Sequence, residues 1–354
     1  MDKDWAEMNK EMQALLSKEA TFREAIRKLI ELRESLFAQI TQIVNTFPEE
    51  AFSQMPFAGA EGYHSKTLAY SIWHIFRIED IVAHEMIAED QQVLFSQDYL
   101  VTIHSPIITT GNELSGDGIV EFSIKLNIHA LYRYAQEVKQ STDHILTEME
   151  YPGLKRTFGE DMIEKLRRTG CVSDAESAVW LIKYWCGKDV LGLIRMPFSR
   201  HWIMHIEAMQ RIKNRLCRLA RKGVDPIAYC GFSCDHCFLS QWCGSCRTAY
   251  NTCSFATVSP DGNAPTRFAA RKKASTDAMN VACWKPAIRV FILPPMMAQT
   301  RPGRRPCTSE STAKRPSSRY MIGSMENMIL PKPRKFWVLI FGKVYGSWKR
   351  IEAK

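Results

Sequence analysis

The chain has 354 residues, 45% of them hydrophobic and 24% charged, which predicts a soluble globular protein of two domains or one large one. The N-terminus reads Met-Asp-Lys-Asp-Trp with no apolar signal region, and the longest apolar run, Phe336 to Phe341, is far short of the about 18 residues a membrane helix needs. The expectation is a cytoplasmic protein without a membrane partner. The net charge of +9 is unevenly placed: residues 263–354 hold 19 Lys/Arg and 4 Asp/Glu, so the first 262 residues are net acidic and overall basicity does not argue for nucleic acid.

From Asp4 to about Arg221 the pattern is helical. Residues 21–46 carry Ile26, Leu29, Ile30, Leu32, Leu36, Ile40, Ile43 and Val44 at three- and four-residue steps, an amphipathic stripe. Ser65 is a candidate cap for a second helix running to about Glu89, with Leu68, Ile72, Phe76 and Ile81 on its apolar face. Residues 91–118 read as a loop with a short extended piece. A third long helix fits 119–149, and a shorter one 158–169. A fourth element follows Ser173-Asp174 and runs to Met196, where Pro197 interrupts it; it resumes through His201 to Arg221, ahead of Gly223 and Pro226. Four long amphipathic helices predict a mainly α fold, a four-helix bundle over 1–222. Residues 227–262 are short and Cys-rich, too small to bury much core without a metal. Residues 263–354 form a basic, Pro-rich tail, expected to be poorly ordered, with nine of the sixteen prolines.

In His201-Trp-Ile-Met-His205 two histidines four residues apart share one helix face, a spacing that lets both imidazoles grip one ion. A third ligand must come from another helix. His74, in Ser-Ile-Trp-His-Ile-Phe, is one candidate, and His64 and His84 are its rivals. The plainer reading of a lone histidine in an apolar stretch is a hydrogen-bonded core residue.

The segment from Leu68 to Asp80 resembles the second helix of the DinB-like superfamily. Trp180 to Asp189, followed by Met196 to His205, resembles its final helix, and the likeness extends over about residues 20–220. The resemblance implies a four-helix bundle with a divalent metal, zinc or nickel, held by His74, His201 and His205. Members of known activity are metal-dependent thiol transferases, isomerases or hydrolases and many have none known, so the resemblance implies a metal-dependent enzyme, expected to be of the thiol transferase or hydrolase class with a small-molecule or thiol substrate. A homodimer is a separate expectation. Such a metal lowers the pKa of a bound water or thiol. Glu79 and Asp80 are near in sequence as candidate bases, although charged helix residues are more often a solvated face. Cys186 is a candidate nucleophile, with a buried structural cysteine the plainer reading.

Six further cysteines, Cys230, Cys234, Cys237, Cys243, Cys246 and Cys253, include two Cys-x2-Cys pairs five residues apart. Thiolates at that spacing converge on a tetrahedral ion, and zinc is the expected occupant, with an iron–sulfur cluster the alternative. Which four share one ion is open, and His236 is a weaker candidate. The phrase Ala228-Tyr-Cys-Gly-Phe-Ser-Cys-Asp-His-Cys resembles a family of small bacterial Cys-rich domains of the zinc-binding type. The family pattern breaks off after Ser259-Pro-Asp-Gly262. Back-translation of Asn263–Ala270 and Thr276–Cys283, read two bases later, permits the missing motifs Cys-Pro-Asn and Asp-Gly-Cys-Tyr-Glu-Cys. The tail from about 263 is therefore expected to be a frameshifted translation. The competing functions are a non-enzymatic sensor or interaction module that uses the zinc site as scaffold, and nucleic-acid binding through the tail, which its low aromatic content makes the weakest of the three.

Overall fold

The computed structural model describes residues 3–225 except Glu61, together with Ile227, Ser233, Cys234, Ser245, Arg247, Thr248 and Tyr250. These residues are mainly helical and form no strand. Helix α1 (Lys3–Leu16) leads into α2 (Phe22–Thr46), whose buried stripe of Leu29, Leu32, Leu36, Ile40 and Ile43 follows the sequence pattern. The 25 residues of α2 contain no Gly or Pro. It stops at Phe47, which is extended (φ −96°, ψ 142°) because Pro48 follows and disfavours the helical conformation before it.

Helix α3 (Leu68–Asp80) begins two residues later than expected: Thr67, not Ser65, is the cap, its hydroxyl accepting the Tyr70 amide at 3.0 Å. All 13 residues of α3 are buried, so it has no solvent face. It continues as a π-helical stretch over Ile81–Ala88 and ends at Glu89, in the left-handed region at φ 57°. The loop that follows holds two short helices, α4 (Val93–Ser96) and α5 (Tyr99–Thr102), and no extended strand.

The single helix predicted over 119–149 is two, α6 (Asp117–Lys125) and α7 (Ile128–Glu148). Leu126 and Asn127 are extended, and the Asn127 side chain accepts the Ala130 amide at 3.0 Å, a local bond that caps and restarts the helix. After α8 (Glu160–Thr169), closed by Gly170 at φ 65°, the predicted element to Met196 is likewise divided. Helix α9 (Glu176–Cys186) and α10 (Val190–Arg195) meet at Gly187, and Asp189 caps α10 by accepting the Gly192 amide at 2.8 Å. Pro197 does interrupt the chain as expected: Met196–Arg200 is a π-helical segment that passes directly into α11 (His201–Ala220).

Helix α2 packs on α7 and α11, and α3 packs on the same two, so these four close into a ring of neighbours, while α1 lies along α2. Two apolar clusters fill the interior. One gathers Phe37, Ile40, Trp73, Phe76 and Trp202; the other gathers Ile26, Leu29, Val82, Trp185 and Leu193. Along α2 the change of cluster falls between Leu29 and Leu32, and along α3 between Phe76 and Ile78. Charged residues stand at that boundary. Arg33 is fully buried and pairs with Glu79 through two bonds of 2.7 and 2.9 Å and with Asp143 at 2.6 Å.

Candidate metal centre

His201 and His205 lie one turn apart on α11, and α3 brings His74 against both. The ring centroids are 5.1 Å apart for His74–His201, 4.7 Å for His74–His205 and 4.5 Å for His201–His205. One ligand atom from each lies within 4.8 Å of the others, with no Asp, Glu or Cys joining them among the described residues. The three side chains are buried, at 3 to 7% exposure.

A buried histidine normally satisfies its ring nitrogens. Here Nδ1 and Nε2 of His205 and Nδ1 of His201 have no hydrogen-bond partner. Leaving such groups unpaired costs about 1–3 kcal/mol each, so the site as built by protein atoms alone is unfavourable. Burial pushes the His74 pKa down to about 4 and those of His201 and His205 well below the usual histidine range; their mutual proximity and Lys66 act in the same direction. All three are therefore neutral near pH 7, the state in which imidazole offers a lone pair to a metal.

His74 is oriented from behind. Its Nδ1 is 2.9 Å from the Thr110 carbonyl, which can only accept, so Nδ1 carries the proton and Nε2 the lone pair. That carbonyl belongs to a run of four. Tyr70 donates to Gly111 O at 3.0 Å, His74 to Thr110 O, Trp73 to Thr109 O at 3.0 Å and Arg77 to Ile108 O at 2.7 Å. Segment 108–111 is thus held antiparallel along α3 by side chains from successive turns. Gly111 sits at φ 79°, and a Cβ there would meet Tyr70 Cε2 at 3.1 Å. The Tyr70 ring stacks on His74, 5.5 Å between centroids and 11° from parallel. Tyr63, half exposed, sets its ring edge against His205 at 4.9 Å.

The structure thus brings together the three expected histidines. The rivals are elsewhere: His84 bonds Asp90 at 2.6 Å, and His64 packs on Phe57. Neither proposed reading of Glu79 and Asp80 holds. Both are fully buried, so they are not a solvated face, and both are committed to other partners, so they are not free bases. Glu79 takes Arg33 and the Trp202 Nε1 donor at 2.7 Å. Burial pushes its carboxyl upward, but Arg33 and Trp202 place donors on both oxygens and hold the ionised form. Asp80 takes Arg77 at 3.2 Å, Tyr134 at 2.9 Å and the first amides of α4, Val93 at 2.8 Å and Leu94 at 3.0 Å. Cys186 is buried, and burial, with Glu160 and Asp161, pushes its thiol up to about 11, which leaves it protonated and unreactive.

Sequence reasoning missed the supporting parts: Thr110, Tyr70, Tyr63 and Lys66. Tyr63, Lys66 and Thr110 lie in segments without periodicity, where the one signal was the glycine of Thr109-Thr110-Gly111-Asn112, and Tyr70 reads as one more apolar residue of a periodic helix.

Of the cysteine cluster, Cys234 is described; Cys230, Cys237, Cys243, Cys246 and Cys253 lie outside the described residues, as do His236 and the tail from 263. The Cys234 thiol donates to Ser245 Oγ at 3.6 Å, and Ser245 stands in sequence between Cys243 and Cys246 at φ 73°. Ile227 and Ser233 pair as an isolated antiparallel bridge, and Tyr250 packs edge-on against Phe47 of the bundle at 5.0 Å. Among the described residues no helix is long and apolar enough to cross a membrane.

Protein-family models, curated proteins and solved structures were compared with this chain, and none matched.

Proposed function

We propose that the chain binds a divalent metal, zinc or nickel, through His74, His201 and His205, and that it is a metal-dependent enzyme of the thiol transferase or hydrolase class on a DinB-like four-helix bundle. The observation that carries this reading is the convergence of three buried neutral imidazoles whose ring nitrogens include three with no protein partner. The donor set suits the proposed metals, since neutral imidazole is a good ligand for both. The resemblance of Leu68–Asp80 and Met196–His205 to the superfamily's metal-bearing helices supports the same three residues.

Among the described residues no fourth ligand closes the cluster, which favours an open position over a structural site. When bound, the metal would supply a lowered pKa for water or thiol and a Lewis acid. The chain's own part is to orient and to exclude water. Thr110 fixes the His74 tautomer, Tyr70 holds the ring plane, and Tyr63 shields His205 from bulk solvent. Zinc at the cysteine cluster would be a second, structural ion; the approach of Cys234 to Ser245 favours joint use of the two Cys-x2-Cys pairs.

The test is elemental analysis of the purified full chain beside His205→Ala and Cys234→Ser. Each variant is expected to lose one ion and keep the other. Turnover of a thiol with an electrophilic acceptor should then require the ion lost in His205→Ala. A wild-type protein without metal overturns the reading, and a metal-replete protein without thiol or ester turnover overturns the enzyme class.

A further inference from the structure

The histidine cluster itself carries no negative charge, and the carboxylate whose field reaches its flank, Glu113, acts on Tyr70. Its candidate ligands are three neutral imidazoles, and no carboxylate belongs to the cluster among the described residues. The charged side chain whose field reaches both His74 and His205 is a cation, Lys66. Its ammonium lies 4.9 Å from the centroid of Tyr70, the ring that stacks on His74. Lys66 is half-buried, and burial pulls its pKa down with no carboxylate acting against that pull. Tyr63, three residues earlier on the same approach to α3, packs on His205 and is 48% exposed, so this segment forms the rim between the histidines and solvent.

Adding a divalent ion to this arrangement brings the metal's charge in the buried cluster near the lysine's on its half-buried rim. Buried charge is tolerated when it is paired and hydrogen-bonded. The carboxylate whose charge reaches Tyr70, Glu113, accepts the Thr109 hydroxyl, and burial is the influence that acts on Lys66, so the ammonium is left for the bound molecule to pair. We propose that Lys66 is a substrate-binding residue of this site and that the molecule completing it is a small carboxylate-bearing compound, its carboxylate on the Lys66 ammonium and a second donor atom on the metal. The proposal rests on the metal reading above and adds the substrate's charge to it. A charge-assisted bond in a water-poor site is stronger than a neutral one, so the discrimination is large enough to measure.

The experiment loads the full chain with cobalt(II) and follows the visible bands that are absent from the His205→Ala protein, which removes any contribution from the cysteine cluster. Two probes of similar size are titrated, mercaptoacetate and the neutral mercaptoethanol. The wild type should bind mercaptoacetate roughly tenfold more tightly. Lys66→Gln should bring mercaptoacetate down to the level of mercaptoethanol, and Lys66→Arg should restore the preference. Retention of the cobalt bands in Lys66→Gln shows that the fold and the ion are intact. Equal affinities in the wild type, or a preference that survives Lys66→Gln, overturn the role of Lys66 while leaving the metal site standing. Absence of any His205-dependent cobalt signal overturns the metal reading and this proposal with it.

Discussion

Two groups of buried polar side chains share α3 and α11, and they differ in how completely they are satisfied. Around Glu79, both carboxylate oxygens are engaged, by Arg33 and by Trp202, and Arg33 also reaches Asp143, the Phe198 carbonyl at 3.2 Å and the face of Trp202 at 4.4 Å. One turn away, His201 and His205 leave three ring nitrogens without a partner. The first group is closed and acts as a fastener between the two apolar clusters. The second is open, and an open buried polar group is where a ligand belongs. The contrast also separates charge from function. The most strongly charged residues of α3 hold the fold, whereas the neutral ones make the candidate site.

The contrast breaks first at the fastener. Glu79→Ala strands Arg33 without its bidentate partner and should lower stability by about 3–5 kcal/mol, read as a fall in the urea midpoint of the metal-free protein. A loss under about 1 kcal/mol would mean the pair is spectator rather than support. The histidines should behave in the opposite manner, through protons. Their folded-state pKa values are depressed, to about 4 for His74, so between that value and the unfolded value near 6.5 the unfolded chain binds more protons. Stability of the metal-free protein is therefore complete above about pH 6.5 and is lost as pH falls through that window. Denaturation of chelator-treated protein at pH 7 and pH 5 checks it, and a flat profile would show that the imidazoles are hydrated rather than buried. The smallest effect is expected at Gly111→Ala. The left-handed backbone there disfavours a side chain by about 1–2 kcal/mol, and the added methyl presses on Tyr70. Because Thr110 orients His74, metal affinity should fall with it, by about tenfold in a metal-competition titration. Unchanged affinity would detach segment 108–111 from the site.

Much of this was legible in the sequence where periodicity or spacing carries the signal. The stripe on α2 and the His-x3-His pair needed only a helical period, and Pro197 marked its break correctly. Elements whose form depends on a single capping bond were not legible. Asn127 and Asp189 each divide a helix that reads as continuous, because the side-chain bond that restarts it leaves no trace in hydropathy. Glu79 and Asp80 misled for another reason. A carboxylate on a helix is solvated only when the helix has a wet face, and α3 has none. The clue was on α2, where Arg33 sits inside the stripe between Leu29 and Leu36 and demands a buried counterion.

The run of four carbonyls along α3 has a kinetic consequence. Thr110 cannot release His74 alone, since its neighbours on either side are held by Tyr70, Trp73 and Arg77. Segment 108–111 would have to peel away as a unit before that imidazole could turn. Exchange of an ion at this centre would then be gated by the opening of a loop rather than by the breaking of a single coordinate bond, so residence time and loop protection should rise and fall together.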